Sequence, residues 1–145
     1  MANVFDVAKY ILSEIGEIST MKLQKLCYYS YVENLIKNNT PLFHEKFEAW
    51  VNGPVCRDLW NIHKGKFYIT KSEIQNNLLS KTGLCEDDKN IINNVIEEYS
   101  SLSGAQLSEK THKEQPWIDA IRGDTASVKN TRHIISDDSI KKFYS

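Results

Sequence analysis

Ser19-Thr20-Met21-Lys22-Leu23-Gln24-Lys25-Leu26-Cys27-Tyr28-Tyr29-Ser30-Tyr31-Val32-Glu33-Asn34-Leu35-Ile36-Lys37-Asn38 is the stretch on which the fold turns. Leu23, Leu26, Cys27, Tyr31 and Leu35 recur at helical spacing, which predicts a helix starting near Ser19 or Thr20 and running to about Asn38. Tyr28, Tyr29, Val32 and Ile36 make the other flank apolar too. A helix apolar on several sides must be enclosed by other elements, so it is placed at the centre of the molecule.

Upstream, Asn3 is a suitable N-cap, and Val4, Val7, Ala8, Ile11, Leu12 and Ile15 share one face of a helix that Gly16 ends. Downstream, Asn39, Thr40 and Pro41 break the central helix, and Leu42 to Val51 shows no helical stripe, only irregular backbone with room for a short strand. Asn52-Gly53-Pro54 reads as a turn. Pro54 then opens a helix with Val55, Leu59 and Ile62 on one face and Gly65 at its end. Residues 66–85 stay open: Phe67-Tyr68-Ile69 suits a strand, and Ser72 with Glu73 a short helix before Asn76-Asn77. Glu86, Asp87 and Asp88 favour a helix amino terminus, followed by the stripe Ile91, Ile92, Val95, Ile96 and Tyr99. Ser103 and Gln106 form a capping box, with Leu102 and Leu107 as its hydrophobic staple. Pro116 starts a short helix ending at Gly123, His133-Ile134-Ile135 suits a strand, and Ser136 caps a last turn or two. The expected fold is mainly α, a compact single-domain bundle of about six to seven helices with short β-strands.

At 145 residues the chain is long enough for one hydrophobic core. Its 41% hydrophobic and 26% charged residues match a globular domain and not a disordered chain. A formal charge of −1 supplies no field to draw in a polyphosphate, so nucleic acid is not the default partner. No apolar run approaches the roughly 20 residues that span a bilayer, and Met1 to Asp6 lacks the basic start of a signal peptide. A cytoplasmic protein without membrane contact is expected. Cys27, Cys56 and Cys85 form neither a disulfide framework nor a metal knuckle, and His44, His63, His112 and His133 lack an i, i+4 pair. No metal or other cofactor is expected.

Catalysis is not expected either, since no serine or cysteine sits in a glycine-rich elbow and no loop resembles a phosphate cradle. Glu97 and Glu98 diverge around one helix and read as a solvated face. His112 reads as bracing the helix that starts at Ser103 and packing on Trp117, and Trp50 reads as core. The oddity is Lys22 and Lys25, near a helix amino terminus where an exposed cation opposes the backbone dipole by about 0.3–1 kcal/mol. Either internal carboxylates compensate them or they form a cationic rim kept for a partner; the second reading is adopted, because lysine stems also cover apolar surface. Tyr28, Tyr29 and Tyr31 cannot all point inward from one helix face, so at least one is expected at the surface, where tyrosine is enriched in interfaces. Arg57 is another cation in a first helical turn. Lys22, Lys25, Tyr28 and Tyr29, with Arg57 at the rim, are therefore the expected partner-binding residues.

The run Lys22-Leu23-Gln24-Lys25-Leu26 with Tyr28-Tyr29, then Pro41-Leu42-Phe43, Glu48-Ala49-Trp50 and Gly53-Pro54-Val55, resembles the Panacea domain of the SocA-like antitoxin family, also found in phages and prophages. His112 and Pro116-Trp117 resemble that family's carboxy-terminal motif, so the likeness spans residues 4–145. The resemblance implies a mainly helical domain of a type II toxin–antitoxin pair that binds and neutralises a cognate protein toxin without catalysis. For one branch it implies an adaptor that hands the toxin to a cellular protease. It implies structural or binding roles for Leu23, Gln24, Leu26, Trp50, Gly53, Pro54, Val55, His112, Pro116 and Trp117. The chain departs from the usual pattern at Cys56-Arg57-Asp58. The competing reading is a DNA-binding regulator of phage or prophage genes, with Ser19 to Tyr29 as the second helix of a helix-turn-helix and its lysines on phosphates. Balanced charge argues against it. Neither reading assigns an oligomeric state.

Overall fold

The computed structural model describes residues 1–74, 83–121 and 132–145. Among these the order is α1 (Val4–Ile15), β1 (Ile18–Ser19), α2 (Thr20–Asn38), β2 (Phe47–Trp50), β3 (Gly53–Cys56), α3 (Arg57–His63), β4 (Tyr68–Ile69), α4 (Glu86–Tyr99), α5 (Gly104–His112), α6 (Gln115–Ile121) and α7 (Asp137–Tyr144). The mainly α class holds. Two small antiparallel sheets accompany the helices, β1 with β4 and β2 with β3.

Ser19 caps α2 by accepting from the Lys22 amide at 3.1 Å, and Asn39 closes it in the left-handed conformation at φ 57°. Every residue from Leu23 to Val32 is buried, because α1, α4, α5, α7 and β3 all pack around this helix. Local signals elsewhere translate directly. The Asn3 and Ser103 capping boxes form, as does the Ser136 cap, and the acidic start of α4 buries Ile91, Ile92 and Val95. Residues 71–73 form a single 3₁₀ turn. The Asn76-Asn77 pair and the expected helix end at Gly123 lie outside the described residues.

The tyrosine expectation is overturned. Tyr28, Tyr29 and Tyr31 are only 1%, 3% and 3% exposed, so none reaches the surface. All three fit inside because the carboxy-terminal half supplies an acceptor for each hydroxyl. Tyr29 donates to Glu114 Oε1 at 2.7 Å and Tyr31 to Asp137 Oδ1 at 2.7 Å. Tyr144 donates to Glu114 Oε1 at 2.6 Å, which leaves Tyr28 as the donor in its 3.2 Å bond to the Tyr144 hydroxyl. Lys110 closes on the second oxygen of Glu114 and lies over the rings of Tyr29 and Tyr99. Burial, and next the Glu114 carboxylate, push the Tyr29 phenol well above its ordinary range, so it remains a donor.

The segment after β2 is corrected as well. Pro54 does not open a helix: Gly53–Cys56 pairs with Phe47–Trp50 in a hairpin whose turn is Val51-Asn52, and α3 begins only at Arg57. The expected strand at His133–Ile135 shrinks to one bridge, Glu48 to Ile134, flanked by hydrogen bonds from Ala49 to the His133 carbonyl and from Ile135 to the Phe47 carbonyl.

Removing the buried acceptor tests the tyrosine network. Glu114→Ala leaves two enclosed hydroxyls and a cation without their partner, and denaturant unfolding should show a loss of about 2–4 kcal/mol. Tyr29→Phe should cost about 1 kcal/mol, and the double variant less than the sum.

Candidate functional site

The matched motifs converge where the first half of α2 meets the β2–β3 hairpin and α3. Gln24 acts there as a side-chain strand: its Oε1 accepts from the Cys56 amide at 2.8 Å and its Nε2 donates to the Cys56 carbonyl at 3.1 Å. That fixes the orientation of its amide. The same Nε2 lies 3.0 Å from His63 Nε2, so His63 must accept there and carry its proton on Nδ1. Burial lowers the His63 pKa to about 4, with the nearby Lys25 adding to the effect. The imidazole is neutral.

Lys25 is 1% exposed, and its Nζ donates to the Pro54 carbonyl at 3.2 Å. Among the described residues no carboxylate pairs with it, and desolvation lowers its pKa from 10.5 to about 7. Gly53 fits against it for two reasons. Its φ of +108° disfavours a side chain, and a Cβ there would stand 2.6 Å from Thr111 Oγ1 and 2.8 Å from Lys25 Cε.

Lys22 resolves differently. Its Nζ donates to the Ser100 carbonyl at 2.6 Å, at the carboxy-terminal cap of α4. A cation unfavourable at the start of one helix is thereby favourable at the end of another. Both lysines are thus answered by backbone carbonyls, neither by carboxylates nor as an open rim. Arg57 is engaged too, its Nε and Nη2 on Glu48 at 2.9–3.2 Å and its guanidinium 5.0 Å over the Trp50 ring. Trp50, 6% exposed, donates its indole N–H to the same Glu48 carboxylate at 2.9 Å.

His112 and Trp117 brace this hairpin from the other side. Their rings lie 4.4 Å apart, as expected, and Trp117 Nε1 donates to the Trp50 carbonyl at 2.8 Å. His112 bonds the Val51 backbone, and burial lowers its pKa. Leu23, Leu26 and Val55 are buried in the same region, and Pro116 is buried within α6.

Of the expected partner-binding set, Lys25, Tyr28 and Tyr29 are therefore enclosed, and Lys22 and Arg57 are held by internal partners. The free surface lies beside them. Phe67 and Tyr68 are 83% and 61% exposed, their rings 6.0 Å apart, next to a groove of about 440 Å³ to which Met21, Phe67, Gly104 and Ala105 contribute. A second cleft, of about 250 Å³, has Lys25, Trp60 and His63 in its wall. Phe67-Tyr68-Ile69 reads from the sequence only as a strand, and three consecutive large apolar residues carry no signal of which the fold covers: Ile69 is buried, while Phe67 and Tyr68 both face water. Among the described residues no three histidine, cysteine or carboxylate side chains gather closely enough to hold a metal ion, and no helix is long and apolar enough to cross a membrane.

The family model described as antitoxin SocA-like, Panacea domain, matches residues 23–118, more than half of the chain. That span contains the Gln24–Cys56 clamp, the Gly53–Lys25 contact and the His112–Trp117 brace. No curated protein and no solved structure is significantly similar to the chain.

The buried lysine carries a signed pH effect. Below pH 10.5 the unfolded chain takes up a proton that folded Lys25 refuses, so stability falls as pH drops towards about 7 and the penalty then levels off. Lys25→Met keeps the stem on Gly53 and removes that penalty. It should raise the unfolding free energy at pH 7 by roughly 2 kcal/mol, allowing for the lost bond to Pro54, and the gain should vanish near pH 10. Denaturant titrations of both proteins at the two pH values check this.

Proposed function

The chain belongs to the SocA-like Panacea antitoxin family, and from that premise we propose that it neutralises a cognate protein toxin by direct binding, with no chemistry of its own. The observation that carries the reading is the solvent-facing aromatic pair Phe67 and Tyr68 beside an apolar groove. Large aromatic side chains dominate the energy of protein interfaces, and these two gain nothing for the fold by standing in water. In this reading the toxin covers Phe67 and Tyr68 and extends over Met21 and Ala105, while buried Lys25 and the buried tyrosines of α2 hold the platform rigid. Rigidity matters because each side chain already fixed before association lowers the entropy lost on binding. Handing the toxin on to a cellular protease would use a second surface, and its signature is toxin turnover in growing cells that depends on this protein.

The test is co-expression with the product of any small open reading frame found beside its gene. Growth should be restored, and the two proteins should co-purify. Phe67→Asp combined with Tyr68→Asp should weaken capture by at least about 30-fold, the loss of a hot spot of roughly 2 kcal/mol, and leave thermal unfolding unchanged. Undiminished capture by the double variant would move the docking face elsewhere, and absence of rescue by the unaltered protein would end the toxin reading.

A further inference from the structure

The cleft beside Lys25 carries chemistry that neither the packing nor the toxin reading uses. It lies between the first half of α2, the Val51-Asn52 turn and the end of α3, and encloses about 250 Å³. Two of its polar walls are already satisfied, since Gln24 and His63 bond to each other and Gln24 also to Cys56. Trp50 and Trp60 also line it, meeting edge to face at 5.1 Å.

Charge sets this cleft apart. Lys25, Lys64 and Lys66 line it, and no aspartate or glutamate among the described residues does, although the whole chain holds 19 acidic residues against 18 lysines and arginines. Lys66 is paired from outside with Glu73, and Lys64 lies 5.4 Å over the Trp60 ring. Lys25 differs from both, because it is buried and answered among the described residues by one carbonyl. When protonated it has three donors, of which the Pro54 carbonyl takes one, so an acceptor in the cleft can take another. Burial without a counter-charge disfavours its charged form, an anion brought against it would favour that form, and in a desolvated site a charge-assisted bond to a carboxylate is among the strongest available.

We propose that this cleft binds a carboxylate carried on a flat aromatic body, the acid group at Lys25 and the ring against Trp60 and Trp50. The walls dictate both halves of the ligand: the cations select the acid, and the indoles favour offset or edge-on contact with another ring. The volume suits one ring with its acid group and not a folded partner. A free aromatic acid and the carboxy-terminal aromatic residue of a polypeptide present the same chemistry. The inference stands apart from toxin neutralisation, which uses the Phe67–Tyr68 face.

The experiment follows the Trp60 indole N–H and the Gly65 amide by NMR during titration with phenylacetate, phenylacetamide and acetate. Phenylacetate should bind saturably and at least about tenfold more tightly than either control, and Lys25→Met should abolish that preference. Lys64→Gln with Lys66→Gln, both on the exposed mouth, should weaken phenylacetate about two- to threefold, a second readout that leaves the buried amine untouched. Gly-Gly-Gly-Phe with a free carboxyl group, set against its amide, separates the sources. Binding as tight as phenylacetate assigns the site to a polypeptide end, and binding of phenylacetate alone assigns it to a small acid; either result supports the proposal. Equal affinity for phenylacetate and phenylacetamide, or a folded Lys25→Met protein that binds phenylacetate as before, would overturn it. So would a mouth variant with unchanged affinity.

Discussion

Enclosing α2 on every side obliges each polar group along it to find a partner carried by some other part of the chain. A buried donor left unpaired costs on the order of 1–3 kcal/mol, so a helix bearing Gln24, Lys25, Tyr28, Tyr29 and Tyr31 cannot be buried by apolar packing alone. The fold meets the obligation in two halves. Near its start, α2 is satisfied by the hairpin, through Cys56 and the Pro54 carbonyl. Further along it is satisfied by Glu114, between α5 and α6, and by Asp137 and Tyr144 of α7.

The two halves differ in electrostatic character. Around Glu114 the negative charge has a cation, Lys110, and two phenols, so the cluster is balanced and its role ends with holding elements together. Around Lys25 the only answer among the described residues is a neutral carbonyl, and the neighbouring imidazoles of His63 and His112 are held towards their neutral forms by burial. The first arrangement is complete in itself. The second leaves a desolvated amine, a pair of indoles and a cleft in one place, the combination from which ligand sites are built.

Separating platform from contact also explains why positive charge at the start of α2 misleads when read from neighbours in sequence. Lys22 is unfavourable only if its own helix is considered; the end of α4 turns it into a cap. Gly104, the first residue of α5, lets that helix come close to the start of α2 as well, since a Cβ there would stand only 3.0 Å from the Lys22 amide. Tyrosine follows the same logic. Its polar tip suggests a surface position until a carboxylate tens of residues away is brought against it.

Local sequence alone determined the helices, because capping boxes, dipole-matched charges and the 3.6-residue apolar period act within a few residues of one another. α1, α2, α4 and α5 accordingly start close to where their local signals place them, and α1 and α2 also stop where Gly16 and Asn39 end them. The ordered motifs carried the resemblance to the family, which the family-model match over residues 23–118 bears out. Only the tertiary structure decided that Gly53-Pro54 belongs to a strand, that Lys25 and three tyrosines are enclosed, and that Phe67 and Tyr68 face water. Pairing, burial and the satisfaction of a hydrogen bond depend on groups such as Gln24 and Cys56 or Tyr29 and Glu114, which lie 32 and 85 residues apart. No local pattern encodes their meeting; it follows from the packing of the whole chain.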